Sequence, residues 1–241
     1  MMKPKKKLTY AIVPSRSGSK RFKDKNIYSF LNKPLFFHSI NFAKKLSFVD
    51  KIIFSTDSEK YIKIAKKYNN IFIHKREKFS SSDVAMEENV LNDLNKFYKK
   101  ENIELPSNLL WLRPTNPLRC LNTFEKGYKI FKKHSDTVMI VHETDSRLFF
   151  NKKNFLKPLK REFLKRSMIR GQNISPFYKI FSGEFFKYKQ KFKIDFLGKK
   201  KRFLIAPKLT NFDIDEVIDL KILESLIKKS KFKFKEFIHE K

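Results

Sequence analysis

A chain of 241 residues is long enough for one sizeable core, and with no run of about 18 apolar residues it holds no candidate for a helical membrane span. The net charge of +30 admits a nucleic-acid partner. Against that, the lysines are spread along the whole chain, and the abundance of Lys, Asn, Ile, Phe and Tyr over Gly, Ala and Trp is what A/T-rich codons alone would produce.

A single cysteine, Cys120, cannot close an internal disulfide and reads as a small buried thiol. The basic start, residues 1–7, is followed by an apolar stretch of only residues 8–13, too short for a secretory signal. Both features predict a cytoplasmic protein. Among the 55 basic residues ten are Arg, and where Lys is the default an Arg suggests a need for its planar, two-pronged donor.

In chain order, residues 8–13 form a β-rich run stopped by Pro14, the first strand. A polar loop leads to apolar positions at helical spacing over residues 34–46. Residues 51–54 predict a second strand, and Asp57-Ser58 supplies the cap of a helix through Tyr68. A strand at 71–73, a helix over 83–98, a strand at 108–112, a helix over 123–133 and a strand at 137–141 follow. Strands alternating with helices need crossover connections, so the fold class is α/β, a mainly parallel sheet flanked by helices. Ligands bind such sheets beyond the carboxyl ends of the strands, which directs the loops after Val13, Phe54, Ile73 and Leu112 to one site.

Beyond Ser146 the pattern decays into apolar pairs separated by charges, Phe149-Phe150, Phe155-Leu156 and Phe163-Leu164. These have no place in a parallel core and suggest, over about residues 146–172, an excursion that packs on another subunit. A strand at 203–206 and a helix over 215–229 close the domain. The alternating tail, residues 231–235, reads as an edge strand guarded by lysines or as a membrane-adjacent segment, and its five residues favour the edge strand.

The loop Pro14-Ser-Arg-Ser-Gly-Ser-Lys-Arg21, followed by Lys23-Asp24-Lys25-Asn26, concentrates small residues and cations just after the first strand. Small side chains let backbone N–H groups approach an anion, and cations neutralise a polyphosphate. An ordinary polar turn is the alternative, and the spacing is neither that of the Walker loop nor that of the dinucleotide fingerprint. Asp213-Ile-Asp215 puts two carboxylates at i and i+2, on one side of an extended segment, where they can address one hard cation. Alternatively Asp215 caps the following helix. Leu112-Arg113-Pro-Thr-Asn-Pro-Leu-Arg119 leaves two guanidiniums on a strand-end loop, fit to grip a carboxylate or to cap strand ends. His142-Glu-Thr-Asp145 lacks the helical spacing of a zinc site and reads as a surface turn.

The opening motif resembles that of the CMP-sialic acid synthetase (acylneuraminate cytidylyltransferase) family. Ser55-Thr-Asp57, Arg76 with Ser82-Asp83, the Arg113 to Arg119 loop and Asp213-Ile-Asp215 match it in the same order, over about residues 8–225. The resemblance implies a single Rossmann-like nucleotide-diphospho-sugar transferase domain over the whole chain, acting as a homodimer. It implies transfer of CMP from CTP to the anomeric hydroxyl of a sialic-acid-like nonulosonic acid, with release of pyrophosphate. Arg16, Ser19, Lys25, Asn26, Arg76 and Ser82 would hold CTP, with Arg16, Lys25 and Asp215 catalytic and Asp213 and Asp215 on Mg²⁺. Arg113, Arg119, Arg170, Gln172 and Lys179 would face the acidic keto-sugar. The sequence departs from the family where Gln is common at position 113 and where an Arg-Pro-Asn-Gly run is replaced around Lys179 to Gly183. That keeps open a CMP-KDO-type synthetase acting on another 3-deoxy keto-acid sugar, beside the basic nucleic-acid-binding alternative.

Overall fold

The computed structural model describes residues 6–145, 147–165, 170 and 174–239. In chain order they form β1 (Thr9–Pro14), β2 (Ser29–Phe30), β3 (Lys33–Pro34), α1 (Leu35–Lys44), β4 (Lys51–Thr56), α2 (Glu59–Ala65), β5 (Phe72–Lys75), α3 (Glu87–Lys100) and β6 (Asn108–Trp111). There follow α4 (Leu121–His134), β7 (Thr137–Thr144), β8 (Phe149–Lys152), β9 (Phe155–Pro158), α5 (Glu162–Lys165), β10 (Phe177–Lys187), β11 (Lys201–Ile205), α6 (Val217–Lys229) and α7 (Lys231–Phe234).

Seven strands join one sheet in the order β11-β7-β10-β6-β1-β4-β5. Every pairing is parallel except those of β10, which runs antiparallel between β6 and β7. The mainly parallel α/β sheet expected from the alternation of elements is therefore present. Side chains alternate across each strand: Ala11 and Val13 join the cluster beneath α1 and α4 with Phe36, Phe124 and Phe185. Tyr10 and Ile12 join the opposite cluster with Leu94, Tyr98, Trp111 and Phe186. A third cluster packs α6 and α7 on Phe22, Phe30 and Leu118, next to the loop after β1. Ser58 caps α2 through its Oγ as expected.

The sequence pattern misplaced several elements. Residues 231–235 are not an edge strand: α7 is a short helix whose Phe234 is buried in the third cluster. His142-Glu-Thr-Asp145 is not a surface turn: its first three residues end β7, with His142 buried and stacked on Phe181, and Asp145 follows the strand. β10 has a bulge between Ile180 and Gly183, and a Cβ at Gly183 would stand 2.6 Å from the Phe124 ring. The described part of residues 146–172 is the β8–β9 hairpin followed by α5, and it exposes Phe155, Leu156 and Leu164. Cys120 is only partly buried, against the third cluster. No helix among the described residues is long and apolar enough to cross a membrane.

Three interior histidines set an acid limit on stability. His38, His142 and His239 are buried, and desolvation lowers each to about 4. The unfolded chain takes up protons at these sites near the ordinary value of about 6.5. Their contribution is thus fully present above that pH and is lost as pH falls toward 4. We predict a falling melting temperature already between about pH 6.5 and 5, before most carboxylates titrate, with a smaller slope in His142→Gln. A flat profile over that range would remove the prediction.

Candidate active site

The loops after β1, β4, β5 and β6 meet at the carboxyl end of the parallel strands, and the segment before α6 closes on them. The Pro14 to Arg21 loop is fastened from below. Asp57 accepts hydrogen bonds from Ser17 N at 2.8 Å and Ser17 Oγ at 2.9 Å, and Asn26 Nδ2 donates to Arg16 O at 2.9 Å. Asp24, in the left-handed region at φ 57°, accepts from Lys60 and Tyr61 and turns the chain so that Lys25 faces inward. Asp57, expected from its sequence to cap a helix and matched to the family within Ser55-Thr-Asp57, thus also fastens the loop, and its place at the end of a strand facing that loop was the available signal.

The expected nucleotide residues gather here. Arg16 donates to Ser82 O and to Asp83 Oδ1, both at 2.9 Å, which bridges the β1 loop to the segment after β5. Arg76 is buried and donates through Nε to Ser55 Oγ at 2.9 Å. Burial lowers its guanidinium to about 10, still charged at neutral pH, with Asp57 and Asp93 opposing the shift. Arg16, Arg76, Ser82, Trp111 and Arg113 help line a cavity of about 260 Å³. Ser82 Oγ is buried there with no partner within the protein, a polar atom left over for a ligand. Ser19 stands on the loop with its N–H turned to Ser17 O.

Lys25 and Arg21 converge on Asp215, with Nζ 3.0 Å from Oδ1 and the guanidinium 3.0 Å from Oδ2. Ile214 between the two carboxylates is fully buried and its N–H bonds Thr115 O, which turns Asp213 and Asp215 out to the same side. Although solvent reaches Asp213, the protein around it and the charge of Asp215 raise its carboxyl above the usual range, with Thr115 and Lys25 opposing. Two hard oxygen donors sharing negative charge suit Mg²⁺. Among the described residues no group of three or more such ligands occurs, so the remaining positions would fall to substrate oxygens and water. Asp215 is not the helix cap: Glu216 occupies the cap position before α6, and Asp219 accepts from the N–H groups of both Asp215 and Glu216.

On the acceptor side the outcome is mixed. Arg119 is fully buried, and its donors go to Ser182 O at 2.9 Å, Ser39 Oγ at 3.0 Å and Arg113 O at 2.6 Å. It fastens the loop from inside and cannot meet a substrate carboxylate without unfolding that loop. Arg113 borders the cavity but is held by Glu184, with Glu87 at 3.5 Å. Burial works against its charge, and the two carboxylates outweigh that and hold it above its ordinary value. Lys179 is exposed on β10 opposite His142, Arg170 is exposed, and Gln172 lies outside the described residues. No local pattern marks Glu184, because it sits 71 positions from its partner.

With this geometry in place, comparison with known proteins decides the family. The cytidylyltransferase family model matches residues 10–233. The chain belongs to the cytidylyltransferase family.

This cytidylyltransferase-family chain is 30% identical over 152 residues to the pseudaminic acid cytidylyltransferase of Campylobacter jejuni, covering 63% of the chain and 61% of that protein. It is 30% identical over 131 residues to the CMP-N,N'-diacetyllegionaminic acid synthase of Legionella pneumophila, covering 54% of the chain and 56% of the relative. With the Campylobacter coli post-translational flagellin modification protein B the identity is 29%, over 92% of the chain and 96% of the relative. The first two matches thus span about three fifths of their relatives' length. Among solved structures, a 4-diphosphocytidyl-2C-methyl-D-erythritol synthase shares the fold, with TM-score 0.66 and 8% identity over 92% of this chain and 99% of that one.

Proposed function

We propose that the protein transfers CMP from CTP to the anomeric hydroxyl of a nonulosonic acid, in the cytoplasm. The observation that carries this reading is the convergence of Arg16, Lys25, Arg21 and Arg76 with Asp213 and Asp215 at the strand ends. In a cytidylyltransferase-family chain that cationic concentration suits a nucleoside triphosphate, and the relatives act on nonulosonic acids by name.

The hydroxyl oxygen forms a bond to the α-phosphorus, the bond from that phosphorus to the bridging oxygen breaks, pyrophosphate departs and the hydroxyl proton is released. Protein groups contribute mainly position and charge. The Arg16 and Lys25 cations, with Ser19 on the same loop, hold the triphosphate, while Arg76, Ser82 and Asn26 fix the nucleotide side and its loop. Asp213 and Asp215 would hold Mg²⁺, which neutralises phosphate charge when bound. Arg113, Arg170, Gln172 and Lys179 remain acceptor-side candidates.

Pyrophosphate release measured with each nucleoside triphosphate and a panel of nine-carbon and eight-carbon keto-acid sugars tests the reading. CTP with a nine-carbon acid should be the productive pair. Selective use of an eight-carbon acid would favour the KDO-type alternative, and no release with any pair would end the proposal.

The β8–β9 arm is assigned to a homodimer contact. Phe155 and Leu156 on β9, and Leu164 on the α5 that follows, are each 70% exposed or more, apolar surface that a lone chain would leave in water. Phe155→Asp with Leu156→Asp should convert dimer to monomer in sedimentation; an unchanged mass would assign the arm elsewhere.

A further inference from the structure

Behind Arg76 runs a buried chain of polar side chains to which the proposed reaction gives no part. β4 and β5 pair in parallel with Ser55 beside His74, and Arg76, directly after β5, lines the proposed nucleotide cavity. Ser55 is fully buried, His74 is 1% exposed, and Asp93, on α3, is 5% exposed. Arg76 donates through Nε to Ser55 Oγ at 2.9 Å and through Nη2 to Ser55 O at 3.3 Å, so that Nη1 is left with no hydrogen bond among the described residues. Ser55 Oγ lies 3.0 Å from His74 Nδ1. On the far side of the ring, His74 Nε2 makes no hydrogen bond and faces the charge of Asp93 Oδ2 at 3.4 Å.

The proton positions follow from the donors. Ser55 Oγ receives the Arg76 N–H, so its own proton goes to His74 Nδ1, which accepts. The ring proton then sits on Nε2, toward the carboxylate. That same Asp93 oxygen accepts from Ser80 Oγ and from Glu77 N. Burial works against its charge, and His74, Ser80 and the Glu77 N–H outweigh that and hold the carboxyl below its ordinary value. Without an acceptor at Nδ1 the Ser55 hydroxyl is free to turn its proton toward Arg76, donor against donor.

We propose that His74, backed by Asp93, is a positioning residue for nucleotide binding: it fixes the Ser55 hydroxyl so that Ser55 clamps one edge of Arg76 and leaves Nη1 for the nucleotide. His74 and Asp93 act through Ser55 and Arg76 and touch no substrate themselves. The inference rests on the CTP reading above and deepens it. Packing is the competing role, since the His74 and Phe97 ring centroids are 5.0 Å apart.

Trp111 is the one tryptophan of the protein and lines the same cavity, so its fluorescence can report CTP binding with no acceptor present. His74→Phe keeps a ring against Phe97 and removes both nitrogens, and the CTP Kd should rise about tenfold. His74→Asn loses the ring but sets an amide oxygen where Nδ1 stood; it should melt lower than the wild type yet keep Kd within about threefold. Ser55→Ala, the smallest change, removes the link itself and should also cost about tenfold. Ser55→Ala combined with His74→Phe should lose no more than either alone, because both act through one hydrogen bond to Arg76.

A Kd that follows melting temperature across the variants, with His74→Asn weaker than His74→Phe, assigns His74 to packing and overturns the inference while CTP binding stands. An unchanged Kd in Ser55→Ala, or full additivity in the double variant, overturns it as well. No binding of CTP to the wild-type protein, by fluorescence or by calorimetry, removes the nucleotide reading itself, and the positioning role with it.

Discussion

Lys25→Ala should lower kcat/KM for CTP by about a hundredfold to a thousandfold, the usual effect of removing one preorganised charge from a phosphate transition state. The expectation is large because the Lys25 side chain is only 11% exposed, while Arg21 on the other side of Asp215 is 68% exposed. Water screens Arg21 and leaves Lys25 to act at lower dielectric. Arg21→Ala should therefore cost no more than about tenfold. Lys25→Arg should not rescue fully, because a planar fork cannot occupy the place of a compact ammonium. Equal losses for Arg21→Ala and Lys25→Ala would show that bulk charge matters here and not the buried position. Single-turnover rates at saturating CTP separate this from weakened binding.

Arg119→Ala should destabilise the fold by about 3–5 kcal/mol and leave acceptor selectivity untouched wherever the protein remains folded. Three acceptors, Ser182 O, Ser39 Oγ and Arg113 O, lose their donor together, and the side chain that also covers the Phe42 ring is removed from a fully buried place. Burial lowers this guanidinium to about 9, so some desolvation cost is relieved by the substitution. The unpaired acceptors and the cavity outweigh that relief. Urea unfolding measures the loss. A variant of wild-type stability with a raised acceptor KM would return Arg119 to the acceptor site.

These two residues show where sequence and structure part. Lys25 was legible because its setting is local: a short loop of small residues and cations behind a strand, in a topology that puts ligands at strand ends. The same holds for Asp213 and Asp215, whose spacing and buried Ile214 specify a common side. The alternation of strands and helices was legible from apolar periodicity, since each of those elements buries one continuous stripe or run.

Arg119 looked like a ligand for the same reason that Arg113 did, a guanidinium on a proline-rich loop. Only the fold could say that the loop turns one of them inward to fasten Ser39, Ser182 and Arg113. β10 was missed because Lys179, Glu184 and Lys187 interrupt its apolar pattern, and its partners β6 and β7 lie far away in sequence. With β10 inserted antiparallel between them, Glu184 pairs across the sheet with Trp111 and Met139 and comes within reach of Arg113. The sequence by itself determined the sheet class, the placing of a small, basic loop behind the first strand and the pairing of two carboxylates, because each follows from short-range spacing. Which arginine turns inward, and which carboxylate the other one holds, was decided by strand register across the sheet, a long-range property that no local pattern encodes.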